Sequence, residues 1–205
     1  MIAIVDYGAG NLRSVYNAFE AIGRKTTVTK NPVDLSKADA IVLPGVGSFG
    51  DGMASLRQTN LIDALNEEVI GKKKPYLGIC LGMQFLADRG EENGEHKGLG
   101  WIPGVVRLIR PNSPEFRIPH IGWNDLDVRL QAPLFDGIED RVFYFVHSYH
   151  FEPEGDGRDC ISSVCDHGTV VTASVQRDNI YGVQFHPEKS QRSGLDLLVN
   201  FVNMI

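Results

Sequence analysis

The stretch Gly78-Ile79-Cys80-Leu81-Gly82 constrains this chain most, because it joins an apolar strand-forming run at 75–79 to a helical pattern opening at 82–87. A strand that turns directly into a helix belongs to a sheet with helices packed over its faces. Two more apolar runs precede it, at 2–6 and 40–43, the second stopped by Pro44-Gly45, with a β-branched strand candidate between them at 26–29. They alternate with helical stretches at 11–22, where Leu12, Val15, Tyr16 and Phe19 share a face, and at 51–70, where Met53, Leu56, Leu61, Leu65 and Val69 do. The pattern predicts a single three-layer α/β domain over 1–205, with a mostly parallel central sheet.

Beyond residue 90 Pro and Gly become frequent and the strand-like runs shorten, at 105–109, 141–146, 160–165, 170–175 and 181–185. These are expected as antiparallel additions to the sheet. The charged, glycine-containing segment 91–97 is expected as an exposed loop. Residues 193–205 are expected as a closing helix with Leu195, Leu198, Val199 and Val202 on one face.

Charge and cysteine usage remove several classes of function. With 20 Lys and Arg against 26 Asp and Glu, the net charge of −6 supplies no general attraction for nucleic acid or an anionic membrane. No apolar run approaches the roughly 20 residues that span a bilayer, and no basic leader opens the chain, so a cytoplasmic location is expected. Three cysteines, Cys80, Cys160 and Cys165, are an odd number and suit a reducing compartment better than a disulfide framework. Cys160 and Cys165 fall in strand-like runs and read as core or edge residues. No metal or cofactor is expected, since their spacing lacks a second ligand pair.

Three segments could carry chemistry. Cys80 occupies the nucleophile position of a strand-to-helix elbow, where flanking glycines make room for a tight turn and a helix N-terminus favours thiolate. Taken alone, a cysteine reads more readily as a buried structural residue, and it is the elbow context that reverses the preference. Gly182-Val183-Gln184-Phe185-His186-Pro187-Glu188 ends a strand, and in an extended segment His186 and Glu188 would point to one side, as a base and its orienting carboxylate. A solvated surface loop is the alternative. Leu43-Pro44-Gly45-Val46-Gly47-Ser48-Phe49-Gly50 is a glycine-rich turn whose N–H groups could bind phosphate or an oxyanion, but it lacks the Lys-Ser/Thr ending of a P-loop.

Together these segments resemble the class I glutamine amidotransferases with a Cys-His-Glu triad, in the family's order and over nearly the whole chain. The resemblance implies Cys80 as nucleophile, His186 as general base and Glu188 as its partner. It also implies an oxyanion hole built from Val46, Gly47 and the N–H of Leu81. Glutamine, the implied substrate, would be held by Gly47, Gln84, Ser148 and Tyr149, the last two being strand-end packing residues on the other reading. Asp6-Tyr7-Gly8-Ala9-Gly10-Asn11-Leu12, His120-Ile121-Gly122-Trp123-Asn124 and Phe145-Val146-His147-Ser148-Tyr149 resemble the branch that passes ammonia to a separate (β/α)8 cyclase subunit of imidazole glycerol phosphate synthase in histidine biosynthesis. Pyridoxal-phosphate glutaminases carry Gly-Gly-Glu-Ser where this chain has Gly45-Val46-Gly47-Ser48. The resemblance places Asn11, Trp123 and Lys189 at the partner interface; Trp123 reads equally well as a core residue. A free-standing thiol γ-glutamyl hydrolase and a non-catalytic binding module are the competing functions.

Overall fold

The computed structural model describes residues 1–129 and 132–205. Strand β1 (Ile2–Val5) is buried throughout and leads into helix α1 (Leu12–Ala21), which buries Val15, Ala18 and Phe19. Strand β2 (Thr26–Thr29) is followed by α2 (Pro32–Lys37), a helix the apolar periodicity does not announce. It is specified instead by its start: Asn31 accepts a hydrogen bond from the Val33 N–H, and Pro32 sits in the first turn. Strand β3 (Ala40–Gly45) continues through Pro44-Gly45 rather than stopping before them. Pairing with β1 has ended at Val42, so the missing N–H of Pro44 disturbs no bond on that side.

The helix expected at 51–70 is divided. Helix α3 (Phe49–Gln58) ends where the Thr59 hydroxyl donates back to the Ser55 and Leu56 carbonyls. Asn60 then takes a φ of 55°, a conformation its short polar side chain tolerates. Helix α4 (Leu61–Leu65) restarts the path and runs into a π-helical turn at Asn66–Gly71. Strand β4 (Tyr76–Cys80) is wholly buried, and α5 (Leu81–Gln84) is one turn rather than a helix over 82–87. Leu86 and Ala87 donate three residues back, to Met83 and Gln84, which tightens the turn and ends the helix.

Strands β5 (Arg89–Gly90) and β6 (His96–Lys97) form a small antiparallel pair, so the end of the expected 91–97 loop is paired. Then come β7 (Gly104–Leu108), β8 (His120–Asp125), β9 (Asp127–Val128), β10 (Val142–His147), β11 (Tyr149–Pro153), β12 (Ile161–Asp166), β13 (Val170–Arg177) and β14 (Ile180–Val183). Helix α6 (Gln191–Asn203) closes the chain. The sequence pattern misses β8 and β11. β8 lies between glycine and proline signals and exposes its apolar residues, and β11 is separated from β10 by Ser148 alone.

The main sheet has the order β2-β1-β3-β4-β14-β13-β12-β9. Its first five strands are parallel and the last three antiparallel, joined by β14 pairing with β4 on one side and β13 on the other. Ile2 and Ile4 face α1 and α6, while Ala3 and Val5 face α3, α4 and α5, which makes the two cores of a three-layer domain. Two smaller sheets, β10-β8 and β11-β7-β5-β6, flank the C-terminal edge of the parallel strands. That edge is where an open α/β sheet collects its loops, and all the chemistry-bearing segments converge there.

Candidate active site

Cys80 is the last residue of β4, with φ 54° and ψ −111°, a conformation disfavoured for any residue with a Cβ. Two close approaches force it. A Cβ on Gly82 would run into the Leu43 carbonyl oxygen, and one on Gly78 would lie 2.5 Å from the Gly82 carbonyl oxygen. The thiol is therefore held at the sheet edge on a turn that only glycine neighbours permit. With α5 reduced to one turn, the local field at the sulfur comes from the first few N–H groups rather than from a long helix.

Register places the other groups. Gly45 pairs with Cys80 across β3 and β4, so Val46 and Gly47 emerge beside the thiol; Gly47, at φ 98°, is in glycine's territory. Val183 pairs with Ile79 across β14 and β4, which brings His186 to the same edge. His186 and Glu188 do meet, but through a 3-10 turn at Pro187–Lys189 rather than along an extended strand. The His186 Nδ1–H donates to Glu188 Oε1 at 2.7 Å, and both side chains are buried. Ser190 pins this turn, its hydroxyl donating to the His186 carbonyl at 2.6 Å while accepting from the Tyr144 N–H at 3.0 Å.

The Nε2 of His186 is buried and carries no hydrogen bond. Burial works against a charge on this ring, but the Cys80 sulfur and the Glu188 carboxylate outweigh it and hold the imidazole pKa up at about 10. Cys160 and Cys165 are buried away from the cleft. Burial pushes both thiols up, Cys165 to about 12, so neither has the electrostatic character of a nucleophile.

A cleft of about 390 Å³ opens over these groups, lined by Val46, Gly47, Cys80, Leu81, Gln84, Ser148, Tyr149 and His186, with Glu92, Val146, His147 and Lys189 completing it. Every residue the sequence assigned to catalysis, oxyanion binding or substrate binding thus borders one cavity except Glu188, which is buried behind His186. The larger groove, about 850 Å³ around Met1, Arg24 and Ile205, lies at the opposite end of the strands and contains none of them. Gln84 has both amide hydrogens engaged, by the Tyr149 carbonyl at 2.9 Å and Gln184 Oε1 at 3.0 Å, which leaves its carbonyl oxygen uncommitted.

Sequence reasoning missed three residues here. Glu92 anchors the 91–97 segment over the cleft by accepting from the Phe49 N–H at 2.8 Å, at the start of α3. His147 lines the cleft, and the Gln184 amide donates to Cys80 Sγ at 3.6 Å. Glu92 has no local signal, being paired across 43 residues. His147 and Gln184 stand inside the quoted motifs, one residue before Ser148 and two before His186.

The three residues assigned to an interface surround the same edge. Trp123 is 48% exposed and Ile121 58%, alternate outward positions of β8, so Trp123 is no core residue. Its ring packs edge-on against Tyr144 at 5.9 Å, and Lys189 Nζ lies 5.8 Å over the other ring. Asn11, at the start of α1, is exposed and its side chain makes no capping bond.

The glutamine amidotransferase class-I family model matches residues 3–204. The chain is 48% identical to imidazole glycerol phosphate synthase subunit HisH 1 of Campylobacter jejuni strain RM1221, over all of both chains. It is 49% identical to subunit HisH of Zymomonas mobilis, over 98% of this chain and 95% of the relative. Among solved structures it is similar in fold to a glutamine amidotransferase at TM-score 0.75 and 18% identity, covering 100% of this chain and 98% of the other. PurLQS from Thermotoga maritima gives TM-score 0.75 at 20% identity, over 99% and 97%. The chain belongs to the class-I glutamine amidotransferases, among the HisH subunits of imidazole glycerol phosphate synthase.

Proposed function

We propose that this chain releases ammonia from the side-chain amide of glutamine with Cys80 as nucleophile, as the glutaminase subunit of imidazole glycerol phosphate synthase. The observation that carries the reading is the geometry at one sheet edge: a strained Cys80 and His186 border one cleft, with Glu188 buried 2.7 Å behind the imidazole. Cys80 Sγ attacks the amide carbon while the new oxyanion lies between the Leu81 N–H and an N–H of the Val46-Gly47 loop. His186 Nε2, carrying the proton taken from the Cys80 thiol, delivers it to the departing nitrogen as the C–N bond breaks, leaving a γ-glutamyl thioester and ammonia. The same nitrogen then takes a proton from water, whose oxygen attacks the thioester carbon. The C–S bond breaks, glutamate leaves, and the proton held on Nε2 returns to the sulfur. Glu188 fixes the imidazole through Nδ1, so that Nε2 faces the reaction throughout.

Ammonia is a nucleophile only while unprotonated, so its consumer must sit close. The exposed Trp123 and Lys189 with the half-buried Tyr144, together with Asn11, offer a docking face beside the cleft for a (β/α)8 cyclase subunit. Trp123 has the character of an interface anchor, a large exposed aromatic beside the exposed Ile121. Trp123→Ala is expected to weaken partner binding by about 2 kcal/mol, roughly 30-fold in Kd. Titration of the partner into the variant checks this, and unchanged affinity would remove Trp123 from the interface.

Glutamate release by the purified chain, alone and with the cyclase subunit and its ribonucleotide ligand, tests the whole reading. Low activity alone and a marked rise with partner and ligand is the expected result. Full activity in the chain alone would replace the reading with a free-standing γ-glutamyl hydrolase. No activity in either condition would leave a binding module.

A further inference from the structure

The Gln184–Cys80 contact is the end of something longer. The Tyr149 carbonyl can only accept, so His147 Nδ1, 2.8 Å away, carries a proton and donates to it. Burial holds the His147 pKa down at about 3, so at neutral pH the ring has only that proton and its Nε2 is a bare acceptor. His120 Nδ1 lies 3.0 Å from that Nε2 and must be the donor. Burial, with the nearby His167, likewise holds His120 at about 4, which makes its Nε2 an acceptor in turn. The donor to it is the Asn124 amide at 3.2 Å, whose second hydrogen goes to the Asp166 carbonyl at 2.7 Å. Each polarity is forced by the one before it.

The Tyr149 carbonyl also accepts from Gln84, whose other hydrogen goes to Gln184 Oε1. With Oε1 so occupied, the Gln184 amide nitrogen is turned toward Cys80 Sγ. Phe145 and His167 stack on the two faces of the His120 ring, at 4.6 and 4.1 Å, and hold its plane.

We infer that a continuous hydrogen-bond network runs from Asn124, beside the exposed Trp123, through His120 and His147 to the Tyr149 carbonyl, where it meets a second arm from Gln84 to Gln184 on the Cys80 sulfur, and that His120 and His147 are positioning residues for the nucleophile. The network aims the Gln184 N–H at the sulfur, where it stabilises negative charge before attack and after thioester breakdown. Removing the His120 donor frees His147 to take its proton on Nε2, which turns a lone pair on Nδ1 against the Tyr149 carbonyl. The catalytic part of this inference rests on the glutaminase reading; the tautomers do not.

Imidazole 15N spectra of the whole chain between pH 6 and 8 test the tautomers. Both His120 and His147 are expected to carry their single proton on Nδ1, and a proton on Nε2 of either ring would overturn the chain whatever the enzyme catalyses. Kinetics of the complex with its cyclase subunit test the positioning. His120→Leu is expected to lower kcat for glutamine about tenfold, the order expected from one hydrogen bond to a charged group, with KM within about twofold. His120→Asn places an amide N–H near the lost Nδ1–H and is expected to recover most of that kcat. Equal kcat in the two variants would overturn the positioning role. Should His120→Leu fail to fold, Asn124→Leu at the half-exposed end removes the outer donor and is expected to lower kcat with KM unmoved; an unchanged kcat there has the same force. A wild-type chain with the expected tautomers but no glutaminase activity would sink the proposed function and leave the hydrogen-bond chain standing.

Discussion

Replacing Cys80 with alanine is expected to reduce glutamine hydrolysis by about four to six orders of magnitude, the range seen when a nucleophile is removed from a catalytic triad. The reason is structural as well as chemical. The other two cysteines are buried with raised pKa values, so no second thiol can take over. Glutamate release measured with the partner present checks the loss, and substantial residual turnover would refute the nucleophile. The same replacement has a readout on His186. Its imidazole is held charged by the sulfur and by Glu188 against burial, with a pKa of about 10 in the intact chain. Without the sulfur the burial remains and one support is gone, so the imidazolium is expected to lose its proton at lower pH. Imidazole NMR titration measures this, and a midpoint unmoved by the substitution would mean that the sulfur does not reach the ring. A third variant separates strain from chemistry. Cys80→Gly is expected to be as inactive as Cys80→Ala but more stable by about 1 kcal/mol, because glycine occupies φ 54°, ψ −111° without a Cβ clash.

The largest stability effect is expected at Gly82→Ala. The new methyl would meet the Leu43 carbonyl oxygen, a backbone atom of the central strand β3, and neither side can yield without shifting a strand. The expected cost exceeds about 3 kcal/mol, a drop on the order of 10 °C in Tm for a domain of this size. Gly23→Ala is the control. Gly23 also has a positive φ, 72°, but nothing lies within 4 Å of a Cβ there, so only conformational strain of about 1 kcal/mol is expected. Thermal melts of the two variants decide the matter; similar Tm values would mean that the elbow tolerates a side chain and is not held by close packing.

Local patterns carried most of the fold. The apolar runs that become β1, β3 and β4 are buried on both faces and announce themselves by continuous hydrophobicity, whereas β2, with Val28 exposed, announces itself by its β-branched residues. Where a boundary depended on something other than apolar periodicity, the pattern misled. Nothing in the Met53, Leu56, Leu61, Leu65 and Val69 series warns that Asn60 turns left-handed, since the apolar face resumes after the break. α5 stops after one turn because Leu86 and Ala87 bond back to Met83 and Gln84, a competition that periodicity does not see. Strand β8 was hidden by its own exposure: with Ile121 and Trp123 outward, it offers no apolar face to a core.

By itself the sequence determined the elbow at Cys80, the His186-Pro187-Glu188 ending and the glycine loop at 45–47, because each is a short segment whose residue types state their chemistry without reference to distant neighbours. Only the tertiary structure decided that Glu92 caps α3 over the cleft, that Trp123 faces outward, and that Gln184 reaches the sulfur within a network that begins at Asn124. Those relations join residues tens of positions apart. They depend on strand register and on which hydrogen-bonding atoms are already occupied, and neither is written in any short stretch of residues.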